Sequence, residues 1–177
     1  MSPTLLLWVL ACGPKPETVI TGLNNENPAV RQDMVKIARK YDDPGVVDAL
    51  TVALDDSEAV IRLSAVESLS FLDSASAVPA LIKCLSDPND KVQRAAVDAL
   101  GKLADPEATE PLMAYVRDRL GDRVPLNALW ALGNIADMRA MGLLSQLRTH
   151  ADPYVAYNAH QALRQLKPGA ASGDSEG

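Results

Sequence analysis

Residues 91–108, with the sequence KVQRAAVDALGKLADPEA, decide the fold of this chain. Apolar side chains return every three or four residues between Val92 and Leu103, which is the spacing of one face of an α-helix. The pattern stops at Asp105-Pro106, where an acidic residue followed by proline is typical of the start of a new helix. The stretch therefore predicts one amphipathic helix, a turn and the beginning of a second helix.

The centre of this stretch recurs along the chain with a period of 31 residues, lengthened once to 32. Residues 96–100 are matched by residues 65–69, 128–132 and 159–163, and a weaker copy lies at residues 34–38. A period between about 20 and 50 residues is the signature of stacked supersecondary units. The sequence therefore predicts a repeat protein, in which no copy can bury its apolar face alone.

Turn signals divide each copy into two short helices. The first helices are predicted to begin after Asn27-Pro28, Asp56-Ser57, Asp87-Pro88, Gly121-Asp122 and Asp152-Pro153, and the second helices after Asp43-Pro44, Asp73-Ser74, Asp105-Pro106 and Asp137. A single helix over Pro16 to Leu23 opens the array, and a single helix over Pro153 to Leu166 closes it. Ten short helices are expected.

The stretch over residues 91–108 resembles the HEAT-like repeat of the phycobilisome-lyase type almost residue for residue. The resemblance covers residues 16–167 and implies an all-α fold, a right-handed α-solenoid of about four to five HEAT-like helix-pair repeats. Such repeats mostly present a surface to another macromolecule, so the resemblance predicts the fold far more sharply than the function.

An apolar run over residues 5–11 ends at Cys12. It is shorter than the roughly 20 residues that cross a bilayer, but it has an acceptable length for the apolar part of a signal peptide. The block from Val9 to Cys12 resembles the lipobox of bacterial lipoproteins, in which the cysteine is diacylated on sulfur and becomes the new N-terminus. The uncharged sequence at residues 1–4 and the bulky Leu10 depart from that pattern.

The lipobox resemblance implies a signal peptide over residues 1–11, a lipid anchor on Cys12 and a short tether over residues 12–15. Gly13 after the cysteine implies sorting to the outer membrane, facing the periplasm. The alternative is a cytosolic protein with an apolar N-terminal helix. The composition of residues 168–177, rich in Gly, Ala and Ser, predicts a disordered tail.

Charge and residue types disfavour several classes of function. The net charge is −6 and no Lys/Arg cluster tracks a phosphate backbone, so no nucleic-acid partner is expected. The two histidines, His150 and His160, lack metal-site spacing, so neither a metal nor a cofactor is expected. Cys84 is expected in the core, and His160 as a polar cap on the last helix. No catalytic residue is predicted.

Equivalent positions in the repeats point to two candidate protein-binding surfaces. Trp130 and Phe71 stand where the other copies carry polar residues, and tryptophan is enriched at binding hot spots. The alternative is that each of these side chains folds over a neighbouring loop. The second candidate surface belongs to the second helices and comprises Asp48, Lys83, Glu110 and Gln146.

The sequence thus predicts a non-enzymatic protein-interaction or scaffold module, carried by a membrane-anchored lipoprotein. The alternative is a cytosolic accessory protein or a bilin-lyase-like modification factor.

Lipidation at Cys12 predicts that the protein in its native bacterium takes up a fatty-acid analogue during metabolic labelling. Cys12→Ser should abolish the label because it removes the acylated sulfur, whereas Cys84→Ser should keep it. A wild-type protein that remains unlabelled would refute the lipoprotein assignment.

Overall fold

The fold is described from a computed structural model for residues 13–121 and 123–166. The predicted signal peptide, Cys12 and the predicted tail over residues 168–177 lie outside these residues. Every regular element within them is helical. The α-helices are α1 (Pro16–Leu23), α2 (Pro28–Ala38), α3 (Pro44–Val52), α4 (Ala59–Phe71), α5 (Val78–Lys83), α6 (Asp90–Leu103), α7 (Thr109–Arg117), α8 (Leu126–Ile135), α9 (Met141–Leu147) and α10 (Pro153–Gln165).

The all-α prediction is confirmed, and the ten helices over the described residues match the expected number. Short 3₁₀ turns extend α3 and α5 at their ends and precede α5, α7 and α9. One boundary differs from the prediction: α8 begins at Leu126 rather than just after Gly121-Asp122. Pro125 explains the delay, because a residue that precedes proline, here Val124, is disfavoured in the helical region.

The loops before four of the first helices, α2, α4, α6 and α10, repeat one local hydrogen bond. In each, a side-chain acceptor binds the backbone N–H two residues further on, which forms an Asx-type turn and prepares the helix start. The acceptors are Asn25 (2.9 Å), Asp56 (2.9 Å), Asp87 (2.8 Å) and, through its Nδ1 atom, His150 (3.0 Å). His150 therefore substitutes for an Asx residue in the turn before α10.

The described residues form two compact units, divided between Leu72 and Asp73. In the first unit, α1 packs on α2 and α3, and α4 packs on the same two helices. In the second unit, α8 packs between α6 and α10, while α5, α7 and α9 pack against α6, α8 and α10 respectively. The fully buried large side chains of both units are aliphatic, among them Leu50 and Ile61 in the first and Leu100 and Leu132 in the second.

Small residues set the distance between consecutive first helices in the second unit. A Cβ atom at Gly101 of α6 would lie 2.7 Å from the Cβ atom and 2.8 Å from the Cα atom of Ala131 on α8. A Cβ atom at Gly133 of α8 would lie 2.8 Å from the Cα atom of Ala162 on α10. The same glycine–alanine contact thus joins both pairs of helices.

The first unit has polar residues at the same repeat positions. Arg39 occupies the repeat position of Gly101 and Gly133. Ser68 occupies the repeat position of their contact residues, Ala131 and Ala162. The Arg39 guanidinium donates from Nε to the Ser68 hydroxyl oxygen (3.0 Å) and from Nη2 to Glu67 Oε2 (2.9 Å). Hydrogen bonds therefore join α2 to α4 at the register where glycine and alanine join the helices of the second unit.

A second polar link of the first unit is the ion pair between Arg31 and Asp56. The guanidinium donates from Nε and Nη2 to the two carboxylate oxygens, at 2.6 and 3.0 Å, and the side chains are only 15% and 6% exposed. Burial by itself would raise the pKa of Asp56, but the hydrogen bonds from Arg31 and from the Glu58 amide outweigh it and lower that pKa below its ordinary value.

We expect Gly101→Ala to lower the free energy of unfolding, measured in urea, by about 1 kcal/mol. Overpacking against α8 costs about 1–3 kcal/mol, which exceeds the ~1 kcal/mol that alanine contributes through helix propensity. Gly142→Ala in α9 is the matched control, since no atom other than those of its own helix backbone and its two chain neighbours lies within 4 Å of its added Cβ atom. It should stabilise the protein by about 0.5–1 kcal/mol. Equal effects of the two substitutions would contradict the close approach.

The lowered pKa of Asp56 predicts that the ion pair stabilises the first unit fully above about pH 4, the ordinary range of an aspartate. That contribution is lost as the pH falls through the lower folded-state pKa. Thermal unfolding followed by circular dichroism from pH 6 to pH 2 should show a shallower acid dependence for Asp56→Asn than for the wild type. Asp55→Asn, which removes the exposed neighbouring carboxylate, should retain the wild-type slope.

Candidate functional site

The four predicted residues of the second helices are all exposed: Asp48, Lys83, Glu110 and Gln146. Asp48 belongs to the first unit and the other three to the second. Glu110 lies 4.0 Å from the Arg117 guanidinium, at the limit of an ion pair, and both side chains are about half exposed. No apolar side chain belongs to this set, and a binding role for it stays a prediction.

Trp130 and Phe71, the predicted apolar exceptions, are exposed by 43% and 64%. They lie in different units, on α8 and at the end of α4. The Trp130 ring also covers the α6–α8 contact, because its Cζ3 atom would be 2.7 Å from a Cβ atom at Gly101. Trp130 therefore packs on its neighbouring helix with one part of the ring and faces solvent with another.

Two tyrosines and a leucine are also exposed on α8 and α10, and the sequence interpretation missed them. Tyr154 and Tyr157 on α10 are 71% and 62% exposed, and Leu126 on α8 is 36% exposed. Tyr157 stands one repeat after Leu126, and α8 packs directly on α10. We call Leu126, Trp130, Tyr154 and Tyr157 the aromatic face.

The repeat rows explain why the sequence did not reveal Leu126 and Tyr157. The row of equivalent positions is Gln32, Leu63, Arg94, Leu126 and Tyr157. Polar and apolar residues alternate in it before Leu126, so neither Leu126 nor Tyr157 is an exception to a polar row. The prediction compared two other rows, which begin at Lys36 and Lys40, and so found Trp130 but not its neighbours.

An arginine-lined groove of about 470 Å³ adjoins the aromatic face and shares Leu126 with it. Arg94, Arg119 and Arg123 line it, together with Asp90. The Arg119 guanidinium lies 3.7 Å from the centre of the Tyr115 ring, and it donates to Gln93 Oε1 at 2.8 Å and to the Tyr115 carbonyl at 3.1 Å. These contacts hold one arginine in place at the side of the groove.

The remaining chemistry-bearing residues are placed as follows. Cys84 is buried, as predicted, and its Sγ–H group donates to the Ala80 carbonyl at 3.5 Å. His160 is exposed on α10. Among the described residues, no three His, Cys, Asp or Glu side chains form a cluster that could hold a metal ion. No helix in this part of the chain is long and apolar enough to cross a membrane.

Comparison with known proteins identifies the repeat. The family model for HEAT repeats matches residues 16–87 and 61–133, which together exceed half of the chain. A chain in the complex of CpcE and CpcF of phycocyanin lyase from Nostoc sp. PCC7120 is 28% identical, with a TM-score of 0.71. That match covers 88% of this chain and 66% of the Nostoc chain, so this chain spans slightly less than two thirds of its length.

Designed repeat proteins have a similar fold. A designed armadillo repeat protein in complex with the peptide (KR)4 is 22% identical, with a TM-score of 0.65, over 92% of this chain and 85% of that one. An engineered protein is also 22% identical, with a TM-score of 0.67, over 93% and 84% of the two chains. No curated protein sequence matches this chain significantly.

Proposed function

The chain belongs to the HEAT-repeat family, and we propose that it is a protein-interaction module that binds its partner through the aromatic face. The observation that carries the proposal is the exposure of Trp130, Tyr154 and Tyr157 on two helices that pack side by side. Rigid aromatic side chains contribute large contact areas with little loss of conformational entropy, which makes them effective anchors in an interface.

The scarcity of aromatic residues strengthens this proposal. The whole chain has two Trp, four Tyr and one Phe, and its buried cores are built almost entirely from aliphatic side chains. Three of these seven aromatics are nevertheless exposed on α8 and α10. The adjoining groove adds arginine, the third residue type that is enriched at hot spots. The face therefore has the composition of a binding site and not that of an average surface.

The similarity to a chain of the CpcE–CpcF complex supports a second candidate function, that of a lyase-like accessory factor. In this case the same face would bind a protein that carries or receives a bilin. The two candidates share the binding surface and differ only in the partner, so the identity of the bound protein distinguishes them.

We also propose that the module is tethered to the outer membrane of a bacterial cell envelope through lipid on Cys12, facing the periplasm. The apolar run over residues 5–11 and the lipobox-like block that ends at Cys12 support this proposal. Two acyl chains on one cysteine anchor a protein firmly, whereas a single chain binds reversibly.

Site-specific photocrosslinking in native cells tests the aromatic face. A photoreactive phenylalanine analogue at position 157 should capture one defined partner. The same analogue at Val52, which is 64% exposed on α3 of the first unit, is the matched control and should capture none. Tyr154→Ala should reduce capture from position 157 about tenfold or more, since loss of a hot spot costs at least ~2 kcal/mol.

Trp130→Ala should reduce the capture from position 157 similarly, but this substitution also uncovers the contact at Gly101. Its unfolding curve must therefore be measured beside the crosslinking, whereas the more exposed Tyr154 provides a variant with little packing to lose. Capture that is equal at positions 157 and 52, or that survives both alanine substitutions in folded protein, would contradict the proposal.

A further inference from the structure

A second groove, of about 220 Å³, lies on α9, α10 and the turn before α9. We call it the end groove, because α10 is the last helix of the described residues. Apolar and basic side chains line it, and no residue of the aromatic face does. The lining includes Met138, Met141, Leu163, Arg148, His160 and Arg164.

In the second unit, the first helices α6 and α8 each bury one side against the first helix that follows. On α10, the last helix of the described residues, the equivalent side lines the end groove. His160 stands one repeat after Leu129 and two repeats after Val97, and both of those residues are fully buried. On α10 this position is exposed, and Met138 and Met141 beside it are 53% and 47% exposed. The end groove therefore has the position and the apolar floor of a site for one more helix.

The charge in the end groove is of one sign. Arg148 and Arg164 line it together with His160, no Asp or Glu does, and the two arginines form no ion pair within the described part of the chain. Asp137 precedes Met138, but hydrogen bonds from the Arg139 guanidinium occupy it and lower its pKa to about 2. In a chain of net charge −6, this surface is suited to an anionic partner.

The first unit shows what an arginine at this register binds. Arg164 occupies the same repeat position as Arg39, and His160 the same position as Val35. Arg39 binds Glu67 and Ser68 of the helix that packs on α2. The Ser68 hydroxyl donates to the Ser64 carbonyl at 2.7 Å, and its oxygen lies 3.2 Å from the Val35 carbonyl oxygen. A carboxylate followed by a small hydroxyl residue is therefore the chain's own complement to an arginine at this position.

We propose that the end groove binds an amphipathic α-helix of a partner protein, with its apolar stripe on Met138, Met141 and Leu163 and with a carboxylate, followed by a small residue, paired with Arg164. A second copy of this chain docked groove to groove is disfavoured, because it would place Arg148 and Arg164 against their own equivalents. This site goes beyond the proposed function, since the aromatic face is a separate surface that can bind or fail to bind independently.

The probe for the test is a synthetic peptide of residues 57–73, which contains α4 with Glu67 and Ser68, held helical by a hydrocarbon staple on its polar side and labelled with fluorescein. Fluorescence anisotropy with the full chain should show saturable binding. Arg164→Glu in the protein, or Glu67→Lys in the peptide, should weaken binding at least about tenfold, because each places like charges together. The two changes combined should restore most of the affinity.

Two protein variants serve as controls. Arg117→Glu makes the same charge change at an exposed position on α7 and should bind as the wild type does. Trp130→Ala should also bind as the wild type, which separates this site from the aromatic face. No binding to the wild-type protein, equal binding by Arg164→Glu, or no recovery in the charge exchange would overturn the proposal. Binding that appears only after residues 168–177 are removed would also overturn it, since their Asp174 and Glu176 would then be the occupant.

Discussion

The contact between consecutive first helices is the constraint on which the rest of this structure depends. Each short helix carries one apolar stripe and can bury it only against its neighbours, so the distance between helices decides how well the aliphatic core packs. Gly101 against Ala131 and Gly133 against Ala162 keep that distance small in the second unit. The contact between α2 and α4 uses Arg39 instead, with side-chain hydrogen bonds where the second unit has the close approach of glycine to alanine.

A residue that differs in type from its equivalents in the other repeats changes the protein surface at that one position. Because equivalent residues occupy equivalent positions, a large side chain in a polar row must project from the stack, as Trp130 does. A charged residue in a small-residue row, such as Arg164, must face whatever packs there next. Binding surfaces in such a fold therefore arise from single substitutions within the rows, while the helices that carry them stay unchanged.

How much the sequence predicts depends on whether a signal is local. The Asn/Asp turns and the prolines act within a few residues, and the 31-residue period repeats them along the chain. From these signals the all-α fold and the single opening helix Pro16–Leu23 were predicted correctly. The start of α8 at Leu126 was missed because Pro125 outweighed the earlier turn signal at Gly121-Asp122. The aromatic face was found only through Trp130, since its other members become conspicuous when α8 and α10 are seen side by side.

The sequence by itself determined that this chain is a HEAT-type helical repeat with an aliphatic core. It also identified Trp130 as an apolar residue at a repeat position that is polar in the other copies. The tertiary structure alone decided which exceptions lie on helices that pack together and which share a groove: Trp130 is on α8 and Tyr154 and Tyr157 are on α10, while Arg164 lines one groove with Met138 and Met141. The physical reason is that periodicity specifies which side of a helix is buried, whereas proximity between repeats depends on which helices pack together and on how closely small residues let them approach.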